Sequence, residues 1–234
     1  SWTMATVNYE INLDGLIDIY LANDFGNDEV FINQGSGRFK ELKNIKSVHD
    51  VKNQLDQALI EKRGSSMNAS LVDINRDGYL DIYVTDIDMF SKSLSFVLPN
   101  DKTIINVDDR ILKSAFYLSG NKLLLNLKGK GFKPVESMYF EPGDKGWAYG
   151  AQFFDYDNDG DDDVYIANGY VPFWVNGDQK NQFYINDNNK LYKVLGEAEH
   201  ESFKGNSRSV VAIDLNNSGK LDLLVTNFLS PPTI

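Results

Sequence analysis

The stretch Asp155–Asp163, DYDNDGDDD, sets Asp155, Asp157 and Asp159 on alternate positions, turns at Gly160 and returns a carboxylate at Asp163. A hard cation such as calcium takes about six to eight oxygen ligands, and short carboxylates alternating around a glycine turn wrap several oxygens about one point. The spacing reads as a calcium loop.

The same spacing returns as DINRDGYLD at Asp73–Asp81, as DLNNSGKLD at Asp214–Asp222 and, in weaker form, as EINLDGLID at Glu10–Asp18. Units recurring every 60–80 residues or so point to solenoids, propellers or arrays. An EF-hand opens on the same pattern but needs a glutamate at its twelfth position and a helix on each side. Here the twelfth positions are Leu21, Val84, Ile166 and Val225. Paired helical dockerin modules fail too, because the segments after the loops, LIDIYLAN, YLDIYVTD, DDVYIANG and LDLLVTNF, are short, β-branched, aromatic and bounded by Asn, Asp or Gly, which is a strand signal. Solvated turns account for one such run. They do not account for four in one register.

The 234 residues are 42% hydrophobic and 12% aromatic, enough for a sizeable core. The net charge of −11 argues against a nucleic-acid partner, which needs a basic surface, and fits a protein that holds divalent cations. With no cysteine, disulfides give no reading of the compartment. Loops supplied with Asn and Ser belong to the weak-site regime of calcium-rich surroundings, so an extracellular, periplasmic or bacterial cell-surface location is expected. No apolar run approaches the ~20 residues of a membrane span, so no membrane insertion is expected. No signal peptide is read in the sequence, which opens inside a repeat at Ser1-Trp2-Thr3, so a leader is expected to have been removed or to lie upstream of it.

In chain order, a strand over Thr3–Tyr9, the first loop, a strand over Ile17–Ala22 and a Gly-turned hairpin in EVFINQGSGRFKEL make four antiparallel strands, the content of one propeller blade. Blade 1 is expected at about 1–42. A helical connection at 43–66 follows, with Val51, Leu55, Ala58 and Leu59 at helical spacing. Blade 2 spans about 67–137, interrupted by an insertion at 86–114 that is either a recognition loop or ornament. Blade 3 spans about 146–196, and half of a blade 4, its inner hairpin alone, about 206–234. Trp2 and Trp147 each stand eight residues before a loop and are read as core. Tyr170, Phe173 and Trp174 lie on a polar loop, where they could stack on sugars, anchor a protein or cover a neighbouring loop. The fold expected is all-β, a propeller of four-stranded antiparallel blades. About three and a half blades point to an incomplete part of a larger propeller, with further blades of the same chain as neighbours.

The segments SSMNASLVDINRDGYLDIYVTD, YGAQFFDYDNDGDDDVYIANG and NSRSVVAIDLNNSGKLDLLVTN resemble FG-GAP/VCBS repeats of the integrin-α-like β-propeller family. LANDFGNDEVFINQGSGRFKEL and NKLLLNLKGKGFKPV resemble more narrowly the branch of cartilage acidic protein and the ASPIC/UnbV proteins. The resemblance implies calcium held by side chains at loop positions one, three, five and nine and by the carbonyl at seven. Carried over, the third loop supplies Asp155, Asp157, Asp159, Asp163 and the carbonyl of Asp161; the second, Asp73, Asn75, Asp77, Asp81 and that of Tyr79. The fourth supplies Asp214, Asn216, Ser218, Asp222 and the carbonyl of Lys220; the first, Glu10, Asn12, Asp14, Asp18 and that of Leu16. Glu10 is one methylene too long, and Ser218 replaces a carboxylate. Ligand charge ranks the third loop first, the second and first next, with the first lowered by Glu10, and the fourth last.

The function expected is a calcium-binding extracellular interaction or adhesion module, or part of a cell-surface assembly, with a protein or glycan partner. A glycan-binding module or accessory of a surface polysaccharide system is the alternative. Catalysis is not expected: His49 and His200 lie outside any motif, and neither a cysteine nucleophile nor a Gly-x-Ser-x-Gly elbow occurs. A paired-acid site assembled from distant loops is the one enzymatic arrangement left open.

Overall fold

The computed structural model describes residues 2–42, 64–87, 120–140, 146–169, 180–194 and 206–234. Within them the protein is built from antiparallel strands arranged as four meandering sheets. Blade 1 comprises β1 (Trp2–Tyr9), β2 (Asp18–Gly26), β3 (Glu29–Asn33) and β4 (Phe39–Glu41). Blade 2 comprises β5 (Gly64–Val72), β6 (Asp81–Asp86), β7 (Lys122–Asn126) and β8 (Phe132–Pro134), followed by a short helix α1 (Glu136–Tyr139). Blade 3 comprises β9 (Ala148–Phe154), β10 (Asp163–Asn168), β11 (Gln182–Asn186) and β12 (Leu191–Lys193). Blade 4 has β13 (Ser207–Ile213), β14 (Asp222–Asn227) and β15 (Ser230–Thr233).

Each acidic loop joins the two inner strands of a blade in one register. Tyr9 faces Asp18, Val72 faces Asp81, Phe154 faces Asp163 and Ile213 faces Asp222. The hairpin therefore closes on the ninth loop residue in all four blades.

Alternation along the strands decides how blades stack, because successive side chains point to opposite faces. Ile82 and Val84 of β6 join Tyr9, Tyr20 and Val30 in a core between blades 1 and 2. Tyr83, between them, joins Phe153, Val164 and Ile166 in a core between blades 2 and 3. One residue further along β10, Tyr165 and Ala167 pack with Val210 and Val225 between blades 3 and 4. Each large apolar side chain so buried contributes about 1.5–3 kcal/mol. Phe140, just after α1, closes the second core, with its ring 5.4 Å from Tyr83 and 5.2 Å from Tyr184.

The opposite ends of the inner hairpins repeat as well. β1, β5, β9 and β13 each bulge there, at Met4, Met67, Tyr149 and Arg208. The Arg208 guanidinium stacks 4.1 Å from the Tyr149 ring and 4.8 Å from that of Phe228, stapling blade 3 to blade 4.

Several sequence expectations need correction. Trp2 is 72% exposed: among the described residues β1 pairs with β2 alone and no further sheet covers this end of the strand. Gly64–Ser66 belong to β5, not to a helical connection: Gly64 and Ser65 pair with Gly26 and Asp24 of blade 1, and Ser66 with Asp86. The insertion does not begin at Asp86, which ends β6, nor at Ile87, which bridges to Trp147. Blade 4 carries a third strand, β15, paired with β14. Residues 43–63, most of the insertion, Tyr170, Phe173, Trp174, His49 and His200 lie outside the described residues. Among those described, no helix is long and apolar enough to cross a membrane.

Candidate metal centre

Each loop is a turn that only a few residue types can make. The sixth residues, Gly15, Gly78, Gly160 and Gly219, sit at φ of 86°, 86°, 89° and 81°. A Cβ at any of the four would meet nothing within 4 Å, so the positive φ alone demands glycine. The fourth residues, Leu13, Arg76, Asn158 and Asn217, are left-handed too, at 56°, 54°, 61° and 55°. Two left-handed residues in a span of three coil the chain tightly enough to bring alternate side chains together.

In the third loop, carboxylate oxygens of Asp155, Asp157 and Asp159 all lie within 4.8 Å of one another. Backbone donors hold them there. The Asp159 N–H donates to Asp155 Oδ1 at 3.1 Å and Asp157 Oδ1 at 3.3 Å, the Gly160 N–H to Asp155 Oδ2 at 3.1 Å, and the Asp161 N–H to Asp159 Oδ1 at 3.0 Å. The second loop repeats this wiring: Asp77 N–H reaches Asp73 and Asn75, Gly78 N–H reaches Asp73, and Tyr79 N–H reaches Asp77. So does the fourth, with Ser218 N–H on Asp214 and Asn216, Gly219 N–H on Asp214, and Lys220 N–H on the Ser218 hydroxyl.

The first loop departs from the pattern. Asp14 N–H donates to Asn12 and Leu16 N–H to Asp14, while the Asn12 amide also donates to the Asp14 carboxylate. Among the described residues no hydrogen bond draws Glu10 into the loop, consistent with its extra methylene.

The ninth residues do a job that the spacing did not reveal. Asp18, Asp81 and Asp163 are fully buried, at 0% exposure. In each, one oxygen accepts the N–H of the second loop residue: Ile11 at 2.9 Å, Ile74 at 3.1 Å and Tyr156 at 2.8 Å. The other accepts the N–H of the asparagine ending the third strand: Asn33 at 2.7 Å, Asn126 at 2.7 Å and Asn186 at 2.8 Å. The carboxylate thus latches the loop to the outer hairpin. The asparagine side chain completes the latch by donating to the eighth carbonyl, that of Ile17, Leu80 or Asp162. Asn126 donates to the carbonyl of Ile11 in blade 1 as well, at 2.9 Å. The recurring F-I-N, L-L-N and Y-I-N at the third-strand ends was the available signal for these three residues. Asp222 is partly exposed and has one such bond, a longer 3.3 Å from Leu215 N–H.

The latches sit under electrostatic load. Burial pushes Asp81 up to about 7, against its two backbone hydrogen bonds and with a push from Asp73 and Asp77. Burial likewise lifts Asp163 to about 6, and Asp157 and Asp161 add to it. Asp161 and Asp162 are also raised, chiefly by burial. The exposed Asp214 is instead held below the usual carboxylate range, first by the Gly219 N–H. An ionised carboxylate has about four acceptor sites, so a latching aspartate keeps capacity toward a cation.

The converging set in the third loop is all oxygen and mostly charged, the donor set that suits a hard cation rather than a soft transition metal. The triad Asp155, Asp157 and Asp159 could hold one.

Residues 11–84 match the family model of the FG-GAP-like repeat. No curated protein matches the chain. The matched segment runs from Ile11 of the first loop to the middle of β6, so it contains β2, the outer hairpin of blade 1, β5, the second loop and the first part of β6, but not β1. Over residues 11–84 the chain is similar to the FG-GAP-like repeat, and its described residues form an all-β fold of antiparallel blades.

Proposed function

We propose that the protein is a calcium-stabilised propeller module for interaction outside the cell, in adhesion, matrix contact or a cell-surface assembly, and that it is not an enzyme. The observation that carries this reading is the convergence of Asp155, Asp157 and Asp159, with oxygens within 4.8 Å of one another. FG-GAP-like repeat sequence supports an interaction module built from blades. In the third loop Asp155, Asp157 and Asp159 would hold the ion, with Asp163 and the carbonyl of Asp161. Bound there, calcium would supply the positive charge that the clustered carboxylates lack.

The chain's own residues do the remaining work. Backbone N–H groups of the fifth to seventh positions preset the side-chain oxygens, and the ninth aspartates of the first three loops tie their turns to the outer hairpins. The second and fourth loops repeat the wiring with fewer charges, through Asp73, Asn75 and Asp77 and through Asp214, Asn216 and Ser218. Weak sites of this kind suit surroundings where calcium is plentiful, which supports an extracellular or cell-surface location. The resemblance to the cartilage acidic protein and ASPIC/UnbV branch points the same way. For a non-catalytic role, the support is that Asp73, Asp77, Asp155, Asp157 and Asp159 are engaged in loop wiring and Asp18, Asp81 and Asp163 in latches.

Calorimetric titration of calcium into chelator-stripped protein tests the reading, with a binding step expected that Asp157→Asn removes. Titrations without such a step would overturn it. Turnover of a labelled polysaccharide by the purified protein would overturn the non-enzyme part. The glycan-binding alternative rests on Tyr170, Phe173 and Trp174, and glycan-array binding lost in Trp174→Ala would favour it over adhesion.

A further inference from the structure

Arg76 is the fourth residue of the second loop, where the third and fourth loops place Asn158 and Asn217. Asparagine tolerates the left-handed conformation there, whereas arginine at φ 54° gains nothing locally and costs about 1 kcal/mol. What its side chain does instead is cross the blade boundary. Its Nη2 lies 3.5 Å from Oδ2 of Asp161, the seventh residue of the third loop. The arginine side chain is 54% exposed, but that of Asp161 is only 11% exposed, and its Oδ1 is buried with no hydrogen-bond partner.

The neighbourhood is acidic on both sides. Asp162 feels Asp155 of its own loop and Asp73 of the second, with Arg76 opposing both. Asp161 feels Asp159 and Asp157, again with Arg76 opposing. Among the described residues Arg76 is therefore a cation that the structure already supplies to the charge cluster of the third loop.

We infer that Arg76 is a resident counter-ion for the third loop, donated by the second, which steadies the metal-free carboxylates and lowers the loop's affinity for a divalent cation. The inference rests on the cation reading of the third loop. A bound divalent ion and the guanidinium carry like charge and would sit in the field of the same acidic loop, the ion on Asp155, Asp157 and Asp159 and the guanidinium on Asp161, so each weakens the hold of the other. Because Arg76 stands on the second loop, the third loop's affinity is set in part from the adjacent blade. The effect belongs to partly exposed charges and is modest and salt-sensitive.

The test is calcium titration calorimetry on Arg76→Gln and Arg76→Lys, following the step that Asp157→Asn removes, at low salt and at about 0.5 M NaCl, where the Debye length falls to a few ångströms. At low salt Arg76→Gln is expected to bind about threefold tighter, a modest gain of the size partly exposed charges give. Arg76→Lys is expected to match the parent protein, and the gain to vanish at high salt. In chelator, Arg76→Gln is expected to melt lower than the parent at low salt, and that difference also shrinks with salt. Affinity that is unchanged or weaker in Arg76→Gln at low salt overturns the inference and leaves the cation site standing. If the parent has no step that Asp157→Asn removes, the site and the inference fall together.

Discussion

The ninth aspartate gives the most discriminating perturbation, because its two possible roles predict opposite signs. Asp163 is fully buried, accepting the Tyr156 N–H on one oxygen and the Asn186 N–H on the other, both at 2.8 Å. In Asp163→Asn the amide oxygen keeps one of these donors, and the amide NH2 faces the other. One hydrogen bond to a charged acceptor is lost, a cost of about 1.5–3 kcal/mol. Removing the charge relieves the cost of burying it and, to a lesser degree, the repulsion from Asp157 and Asp161, an offset of ~1–3 kcal/mol. It also sets the new amide NH2 against a buried N–H, a cost of about 1–3 kcal/mol. The net expectation in chelator at pH 8, where Asp163 is ionised, is a loss of about 1–2 kcal/mol. With a urea slope of ~2 kcal/mol/M the midpoint falls by about 0.5–1 M. Asp157→Asn, which removes a charge from the exposed triad without breaking a latch, is expected to be neutral or slightly stabilising under the same conditions. If Asp163 served only to ligate a cation, both variants would behave alike in chelator. A midpoint for Asp163→Asn equal to or above that of the parent refutes the latch.

Other consequences can be checked on the same protein. Gly160→Ala meets no atom and loses only the ~1–2 kcal/mol of left-handed strain, whereas Gly129→Ala sets a Cβ 2.6 Å from Asn12 Cα across the blade 1–2 boundary; urea unfolding should rank Gly129→Ala the more damaging, and equal losses contradict that packing. In chelator, the folded chain holds extra protons on Asp81, up at about 7, and Asp163, up at about 6, relative to an unfolded carboxyl near 4. Their stabilising contribution is therefore full below about pH 4 and is lost as pH rises to about 7, so the urea midpoint should be lower at pH 7.5 than at pH 5. Calcium at about 100 times its Kd should add ~2.7 kcal/mol and raise the melting temperature by several degrees, and a Tm indifferent to chelator contradicts it.

Much of this was legible in the sequence because the loops leave little chemical freedom. A glycine is required where φ is near +86°, and alternate short side chains are required where backbone donors converge, so Gly78, Gly160 and their companions spell out the turn directly. The role of Asp163 was not legible, since a cation site and a buried pair of backbone donors both ask for a short carboxylate. The latch needed Asn186, on a strand remote in sequence, to reveal itself. Trp2 misled for another reason: matching register with Trp147 fixes its place along the strand but not whether a neighbouring blade covers it. Pro231 and Pro232 masked β15, although an edge strand tolerates proline where its missing donor would face solvent. Gly64–Ser66 read as the end of a helical connection, and their strand follows from partners in both blade 1 and β6.

The central claim is that the third loop is a calcium cage, and a crystal structure grown at millimolar calcium tests it most directly. The account expects a cation about 2.3–2.6 Å from oxygens of Asp155, Asp157 and Asp159. A water in that place, or three carboxylates turned away from one another at that calcium concentration, would contradict it.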